Sequence, residues 1–356
     1  MSVSEAASGG FEAKPPPLRG ADYAELDFTT AAPGGVARRC LRLVLTCLLV
    51  HYLLWVFFVV FALVALVLLA GGSLQLATAA VALAALLYLP SYCDGSERRP
   101  GGRPWPQFRL MAAFRLVHEY ARLRLVRTVK LPPGRPYVFG WHPHGILILS
   151  RLATYGGAWE TLFPGVETRA LGASAVFGWP GSREISLWLG AVDASPPVAR
   201  SVLASGRSAI VYPGGSKEIF RTDMHSRETV LDLAARPGFV RLAMQFGAPL
   251  VPVVVYGERA AFSRLDPPGW LRDFCLRRCR LPVLCFCGRC CLLPHRGASL
   301  SVVVGAPLAV EHVPDIGKDD ARVAATHQRY MAALRALWEA HKREHGYAAE
   351  DVLVIA

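Results

Sequence analysis

Histidine is the side chain whose ordinary pKa lies nearest neutrality, so two of them in a tight apolar run raise the first question about chemistry. His142 and His144 flank Pro143 in YVFGWHPHGILILS, residues 137–150, and Gly145 follows directly. Residues 137–141 read as a strand. Pro143 suits the first turn of a helix, where its missing N–H costs nothing. The spacing therefore predicts a helix over 146–155 with both imidazoles at its positive end. That setting disfavours imidazolium and leaves a neutral ring able to accept a proton as a general base. A metal site is a weaker reading, because a ligand set takes three or four groups and no Glu, Asp or Cys stands nearby to complete it. A structural role, with the rings capping backbone groups, is the third.

A second turn is IVYPGGSKEIF, residues 210–220. Pro213, Gly214 and Gly215 leave backbone N–H groups open to close approach, and with Lys217 these can face a phosphate or a developing oxyanion. Pro-Gly-Gly is equally an ordinary turn. A third stretch, ARPGFVRLAMQFGAPLVPVVVYGE over 235–258, predicts a helix that passes through Gly247 into a strand, one α-β unit of a sheet.

These turns need a framework. Strand-like runs at 137–141, 169–173, 208–212, 250–255 and 300–304 alternate with helical patterns at 146–155, 182–189, 197–205, 229–235, 239–246 and 321–344. The alternation predicts an α/β sheet with helices on its faces over 136–356. Upstream, apolar positions from Leu110 to Leu123 recur with helical period, predicting a basic amphipathic helix over 108–130. It falls within a 93–135 connecting segment and suits the headgroup plane of a membrane or the surface of the domain.

No Asp, Glu, Lys or Arg occurs from 43 to 92, too long a run for one span of about 20 residues. It divides at Gly71–Gly72–Ser73 into 43–70 and 74–89. Arginines flank both sides (Arg38, Arg39, Arg42; Arg98, Arg99, Arg103), which favours a transmembrane or re-entrant helical hairpin over 38–92 with both ends in the cytosol. The other reading is one long tilted span followed by a core helix. Hydrophobic residues at 53%, charged residues at 19% and a mean hydropathy of +0.32 agree with membrane association. Residues 1–37 are rich in Ala, Gly, Pro and Ser and read as a disordered tail. The net charge of +12 suits anionic lipid or a polyphosphate ligand; no nucleic-acid motif accompanies it. Six of the nine cysteines crowd into Cys275, Cys279, Cys285, Cys287, Cys290 and Cys291. Their spacing is not two Cys-x-x-Cys pairs, and they read as free thiols, ahead of acylation or zinc.

Taken together, His-Pro-His-Gly after a strand, Pro-Gly-Gly, a Gly-Phe-Val helix leading to Leu-Val-Pro-Val with a Gly-Glu end, and GRCCLLPHRGASLSVVVGAPLAV resemble the type-2 diacylglycerol acyltransferase family over about 135–347. That family includes monoacylglycerol and wax-alcohol acyltransferases. The resemblance implies a mixed sheet flanked by helices, similar to glycerolipid acyltransferases, and a membrane anchor. The activity it implies is acyl-CoA-dependent O-acyl transfer, making triacylglycerol from diacylglycerol on the cytosolic face of the endoplasmic reticulum. Acyl-CoA would be a co-substrate, with no resident cofactor or metal. A hairpin with both ends cytosolic is also compatible with a lipid-droplet monolayer, and the sequence leaves oligomerisation open. His142 or His144 would be the base, with Pro143, Gly145, Pro213, Gly214 and Gly215 shaping the substrate site. Lys217, Arg221 and Arg241 would meet CoA phosphates. The distant relatives use a His-x4-Asp pair, but the fifth residue after His142 is Leu147, so Glu218 is the expected partner for a ring. Pro237 stands where the family often has a basic residue, the family's Tyr-Phe-Pro element is not recognisable, and residues 189–197 lack an Arg often found there. These departures bear on the acyl acceptor. The contrasting class is a catalytically inactive membrane lipid-binding protein.

Overall fold

Along Val138–His142 successive side chains point to opposite faces, and both faces are buried. Phe139 and Trp141 enter a core with Leu125, Val253 and Val302; Val138 enters another with Val254, Val303 and Tyr330. A strand covered on both sides needs helices on both sides, and it reads as a continuous apolar run. The computed structural model describes residues 20–30, 34–221, 223, 226–265, 268–274, 285–295, 297–317 and 319–356. Residues 1–19 and 31–33 of the expected tail lie outside the described residues, as do Cys275 and Cys279.

In chain order the strands are β1 (Ala24–Asp27), β2 (Arg124–Arg127), β3 (Val138–His142), β4 (Thr168–Gly172), β5 (Ala191–Asp193) and β6 (Ser208–Val211). They continue with β7 (Glu228–Leu231), β8 (Leu250–Tyr256), β9 (Ser263–Leu265), β10 (Cys285–Cys287), β11 (Ser301–Val304) and β12 (Val352–Ile355). Eight form one mixed sheet in the order β1-β2-β11-β8-β3-β6-β4-β5, with β3 parallel to both neighbours. One face carries the helices Pro196–Ala204, Gly238–Phe246 and Asp320–His341. The other packs against Phe114–Ala121, Ser182–Trp188 and the 3-10 turn Leu149–Thr154. The mixed α/β architecture is as expected.

Several local expectations need correction. The helix over 108–130 is two short helices, Pro106–Arg109 and Phe114–Ala121, followed by β2. Arg122 turns left-handed at φ 47°, and beyond it the chain pairs with β1 and β11, with Leu125 and Val126 buried in opposite cores. The helix over 229–235 is strand β7, held by parallel pairing with β12. Within the expected tail, β1 pairs antiparallel with β2, and Glu25 bonds Arg124 Nε at 2.7 Å. Local composition missed it because its partners lie about a hundred residues away.

The apolar run folds as three helices: α1 (Val36–Val50), α2 (Trp55–Leu69) and α3 (Leu74–Tyr92). Instead of one segment over 43–70, α1 and α2 meet at a bend of 109°. α1 lies on the domain, where Arg38 and Arg42 reach Glu119. α2 and α3 pack together around Gly71–Gly72. α2 buries none of its residues. Among the described residues, one helical run, Leu74–Arg98, is by itself long and apolar enough to cross a membrane; the bent pair α1–α2 passes only when counted as one.

The base of α3 is fixed to the domain ionically. Arg183, 1% exposed, bonds Asp94 at 2.6 Å, Glu97 at 2.7 Å, Glu184 at 3.0 Å and the Ser91 carbonyl at 2.8 Å. Arg103 joins Asp94 and Glu184 from the loop beyond.

Removal of residues 1–30 takes away β1 and leaves the outer edge of β2 bare. We expect a loss on the order of 2 kcal/mol, seen as a drop of roughly 4 °C in the melting midpoint of the detergent-solubilised protein. An unchanged midpoint would mean that β1 contributes nothing.

Candidate active site

After His142 the chain does not continue as an α-helix. Gly145 sits at φ 65° and Ile148 at φ 53°, two left-handed residues that no α-helix accommodates. For β-branched Ile148 that conformation is strained by an amount of order 1–3 kcal/mol and must be held from outside. A 3-10 turn, Leu149–Thr154, stands where the helix over 146–155 was expected, so the rings owe nothing to a helix dipole.

The holding is done by two buried carboxylates. Glu258, 3% exposed, accepts from the backbone N–H of Leu149 at 2.6 Å and of Ser150 at 2.8 Å, directly after the strained residue. Glu218, 1% exposed, accepts from the backbone N–H of His144 at 2.7 Å and of Asp232 at 3.1 Å. Glycine makes both approaches possible: a Cβ on Gly145 would lie 2.2 Å from Glu258 Cγ, and one on Gly214 would lie 1.9 Å from Glu218 Oε1. Burial pushes each carboxyl up to about 7, against the pull of the N–H groups. Glu218 thus supports the loop's main chain, not an imidazole as expected.

The two rings differ. His142, 1% exposed, lies on the face under Asp320–His341, where its Nε2 meets the Tyr330 hydroxyl at 3.0 Å. That hydroxyl also reaches the Gly140 carbonyl at 3.2 Å, and His142 Nδ1 is buried with no partner. Burial lowers its pKa to about 3. His144 is partly exposed, and its Nδ1 lies 2.8 Å from the Gly145 carbonyl. A carbonyl only accepts, so Nδ1 carries the proton and Nε2 presents its lone pair. Burial holds this imidazole below its ordinary pKa, so it is neutral near pH 7. Its ring stands edge-on to Tyr212 at 5.8 Å.

Tyr212 and Pro213 open the Pro-Gly-Gly turn and line a cavity of about 420 Å³ with Arg200, Phe239 and Arg241. Gly215, at φ 54°, gives its N–H to the Tyr212 carbonyl at 3.0 Å and so is not a free oxyanion donor. The expected cations fare differently. Lys217 and Arg221 are exposed and share Asp232 with Arg236. Arg241 lines the cavity but is engaged by Asp320 and the Gly317 carbonyl. Neither Tyr330 nor the role of Glu258 is marked by a motif in the sequence; the place of Glu258 just beyond β8, beside β3, is the available signal. Of the cysteine group, Cys287 Sγ lies 3.0 Å from Cys291 Sγ, and Cys287, Cys290 and Cys291 are free thiols.

A sequence profile for the diacylglycerol acyltransferase family matches residues 73–356. The chain is 30% identical over 289 residues to bovine (Bos taurus) 2-acylglycerol O-acyltransferase 1, covering 75% of this chain and 85% of that one. It is 28% identical over 262 residues to diacylglycerol O-acyltransferase 2A of Umbelopsis ramanniana, covering 68% and 72%. A crystal structure of the 1-acyl-sn-glycerophosphate acyltransferase PlsC from Thermotoga maritima aligns over 85% of this chain and 98% of its own, with a TM-score of 0.38 and 16% identity.

The carboxylate clamps make a pH prediction. Glu258 has a folded pKa near 7 against an ordinary 4.5, so the folded chain holds a proton that the unfolded chain releases. Its contribution is fully present below pH 4.5 and lost as pH rises through 7, amounting to roughly 3 kcal/mol. Glu258→Gln keeps an acceptor but cannot titrate. Relative to this variant, the wild type should be less stable at pH 8 than at pH 5 in thermal melts; a constant difference would place the carboxyl's pKa near its ordinary value.

Proposed function

The chain belongs to the diacylglycerol acyltransferase family, and from that premise we propose that it transfers a fatty acyl group from acyl-CoA to an acylglycerol hydroxyl, with His144 as the base. One observation carries this reading. His144 is a neutral, partly exposed imidazole on a clamped loop, its tautomer set by the Gly145 carbonyl so that Nε2 keeps its lone pair. The backbone carbonyl does what an aspartate does in a His-x4-Asp pair.

In the reaction, Nε2 takes the hydroxyl proton as the oxygen attacks the thioester carbonyl carbon. The tetrahedral adduct then collapses, the C–S bond breaks, and the imidazolium returns the proton to the CoA thiolate. No metal is needed, because the thioester is already activated. His142 is a positioning residue, tying the end of β3 to Tyr330. The 420 Å³ cavity beside Pro213 suits the donor, with Arg200 and Arg241 at hand for phosphate and Lys217 and Arg221 at its approaches. The exposed apolar surfaces of α2 and α3 support insertion in the endoplasmic reticulum membrane as a hairpin, with the domain cytosolic.

Diacylglycerol is the acceptor we put first, with triacylglycerol as product. A second reading, 2-acylglycerol, is favoured by the 30% identity to a 2-acylglycerol O-acyltransferase. Labelled oleoyl-CoA supplied to membranes with each acceptor in turn decides between them by the labelled product. No labelled glyceride from either acceptor would sink the enzyme reading and favour a lipid-binding protein.

The same assay separates the histidines. His144→Ala should lower the rate by about 1000-fold without moving the melting midpoint. His142→Ala should lower the midpoint and cost less rate. The reverse pattern would transfer the base to His142.

A further inference from the structure

On the face of the sheet that packs against α1, buried polar atoms collect without partners. Arg151, on the turn Leu149–Thr154, has Nε and Nη2 both buried and unbonded. These two N–H groups form one edge of the guanidinium, the edge that grips an oxygen. Among the described residues no carboxylate lies within ion-pair distance of it. Its surroundings are tyrosines: Tyr52 from the α1–α2 bend, Tyr155, whose ring centroid is 5.9 Å from Cζ, and Tyr212. The Tyr52 and Tyr155 hydroxyls approach the guanidinium, but none bonds Nε or Nη2 in good geometry. The Tyr212 hydroxyl is itself buried, with the Ser150 hydroxyl beside it but no bond of good geometry, and Nε1 of Trp141, whose ring lies 6.0 Å from that of Tyr212, is unpartnered. On its other side Tyr212 meets the ring of His144.

A buried cation without an anion is costly, and so is each orphaned donor. Guanidinium and indole N–H groups only donate. What the orphaned Nε, Nη2 and Nε1 groups lack is therefore an acceptor. The group that fits is acceptor-only and small: one carbonyl oxygen, better still one gaining negative charge. A nucleotide phosphate would give up a strong hydration shell to enter a site walled by three tyrosines.

We propose that the Arg151 edge and the Tyr212 hydroxyl receive the thioester carbonyl oxygen of the acyl donor and hold the charge that gathers there during attack. This rests on the acyl-transfer reading above. As the acceptor oxygen bonds to the carbonyl carbon, the C=O π pair moves onto this oxygen. When the C–S bond breaks, the pair returns. The site is filled most strongly in the adduct, so it acts on kcat more than on KM.

The test uses the full-length protein in membranes, with oleoyl-CoA as donor and diacylglycerol, 2-acylglycerol or a long-chain alcohol as acceptor. Arg151→Gln should lower kcat by about 100-fold or more with every acceptor used, while the KM for oleoyl-CoA changes by less than about threefold. Arg151→Lys should recover part of the loss, and Tyr212→Phe should lower kcat by about 10-fold. Melting midpoints accompany each variant, and Tyr212→Phe, which removes one oxygen, serves if Arg151→Gln does not fold. Loss confined to the ester-bearing acceptors would assign the site to the acceptor's ester and overturn the proposal. A raised KM with unchanged kcat would overturn it too, and unchanged kinetics would leave the cluster holding water only. If the wild type transfers no acyl group to any acceptor, the functional reading falls and this proposal falls with it.

Discussion

A strand that ends in an irregular loop must give its last N–H groups somewhere to go, and here they go to two buried carboxylates. Glu218 takes the N–H of His144, and Glu258 takes those of Leu149 and Ser150. Burying carboxyls is expensive, and both respond by titrating near neutrality. What the expense sustains is a left-handed Ile148 and a His144 that stands clear of the core while its backbone stays fixed. Gly145 and Gly214 belong to the same constraint, since each leaves room for one carboxylate.

The alternation of β3 sorts the chemistry. Trp141 and His142 are neighbours in sequence, yet one enters the core beneath α1 and the other lies under Asp320–His341 against Tyr330. His142 therefore has the surroundings of an interior histidine, bonded through Nε2 alone. His144, two residues on and past the end of the strand, escapes both cores. A spacing that suggests a pair of equivalent rings resolves into one buried and one partly exposed imidazole.

Much of this was legible beforehand. The strands holding the site are runs of Val, Leu and Phe bounded by turn residues, and their period is visible without contacts. The glycine turns and the two histidines were also visible. What was not legible depends on distant partners. β1 exists because β2 offers an edge, β7 because β12 lies beside it, and the Glu258 clamp because β8 runs parallel to β3. Pro143 encouraged a helix that Gly145 and Ile148 prevent, and the reason Ile148 tolerates its conformation lies on another strand. The 109° bend after α1 was hidden because both arms are apolar, though α1 carries arginines at its start that already fit a docked helix better than a span.

The ionic knot around Arg183 changes what the apolar hairpin is. A tether can be cut or exchanged, since it shares nothing with its cargo but a linker. Here Asp94, Glu97 and the Ser91 carbonyl, at the foot of α3, complete the bonding of an arginine in the heart of the globular domain. Trimming the chain to a water-soluble remainder beyond residue 97 would strand that guanidinium with Glu184 for company. The hairpin is thus a subdomain of the globular body, and its removal would be felt in the interior of what remains.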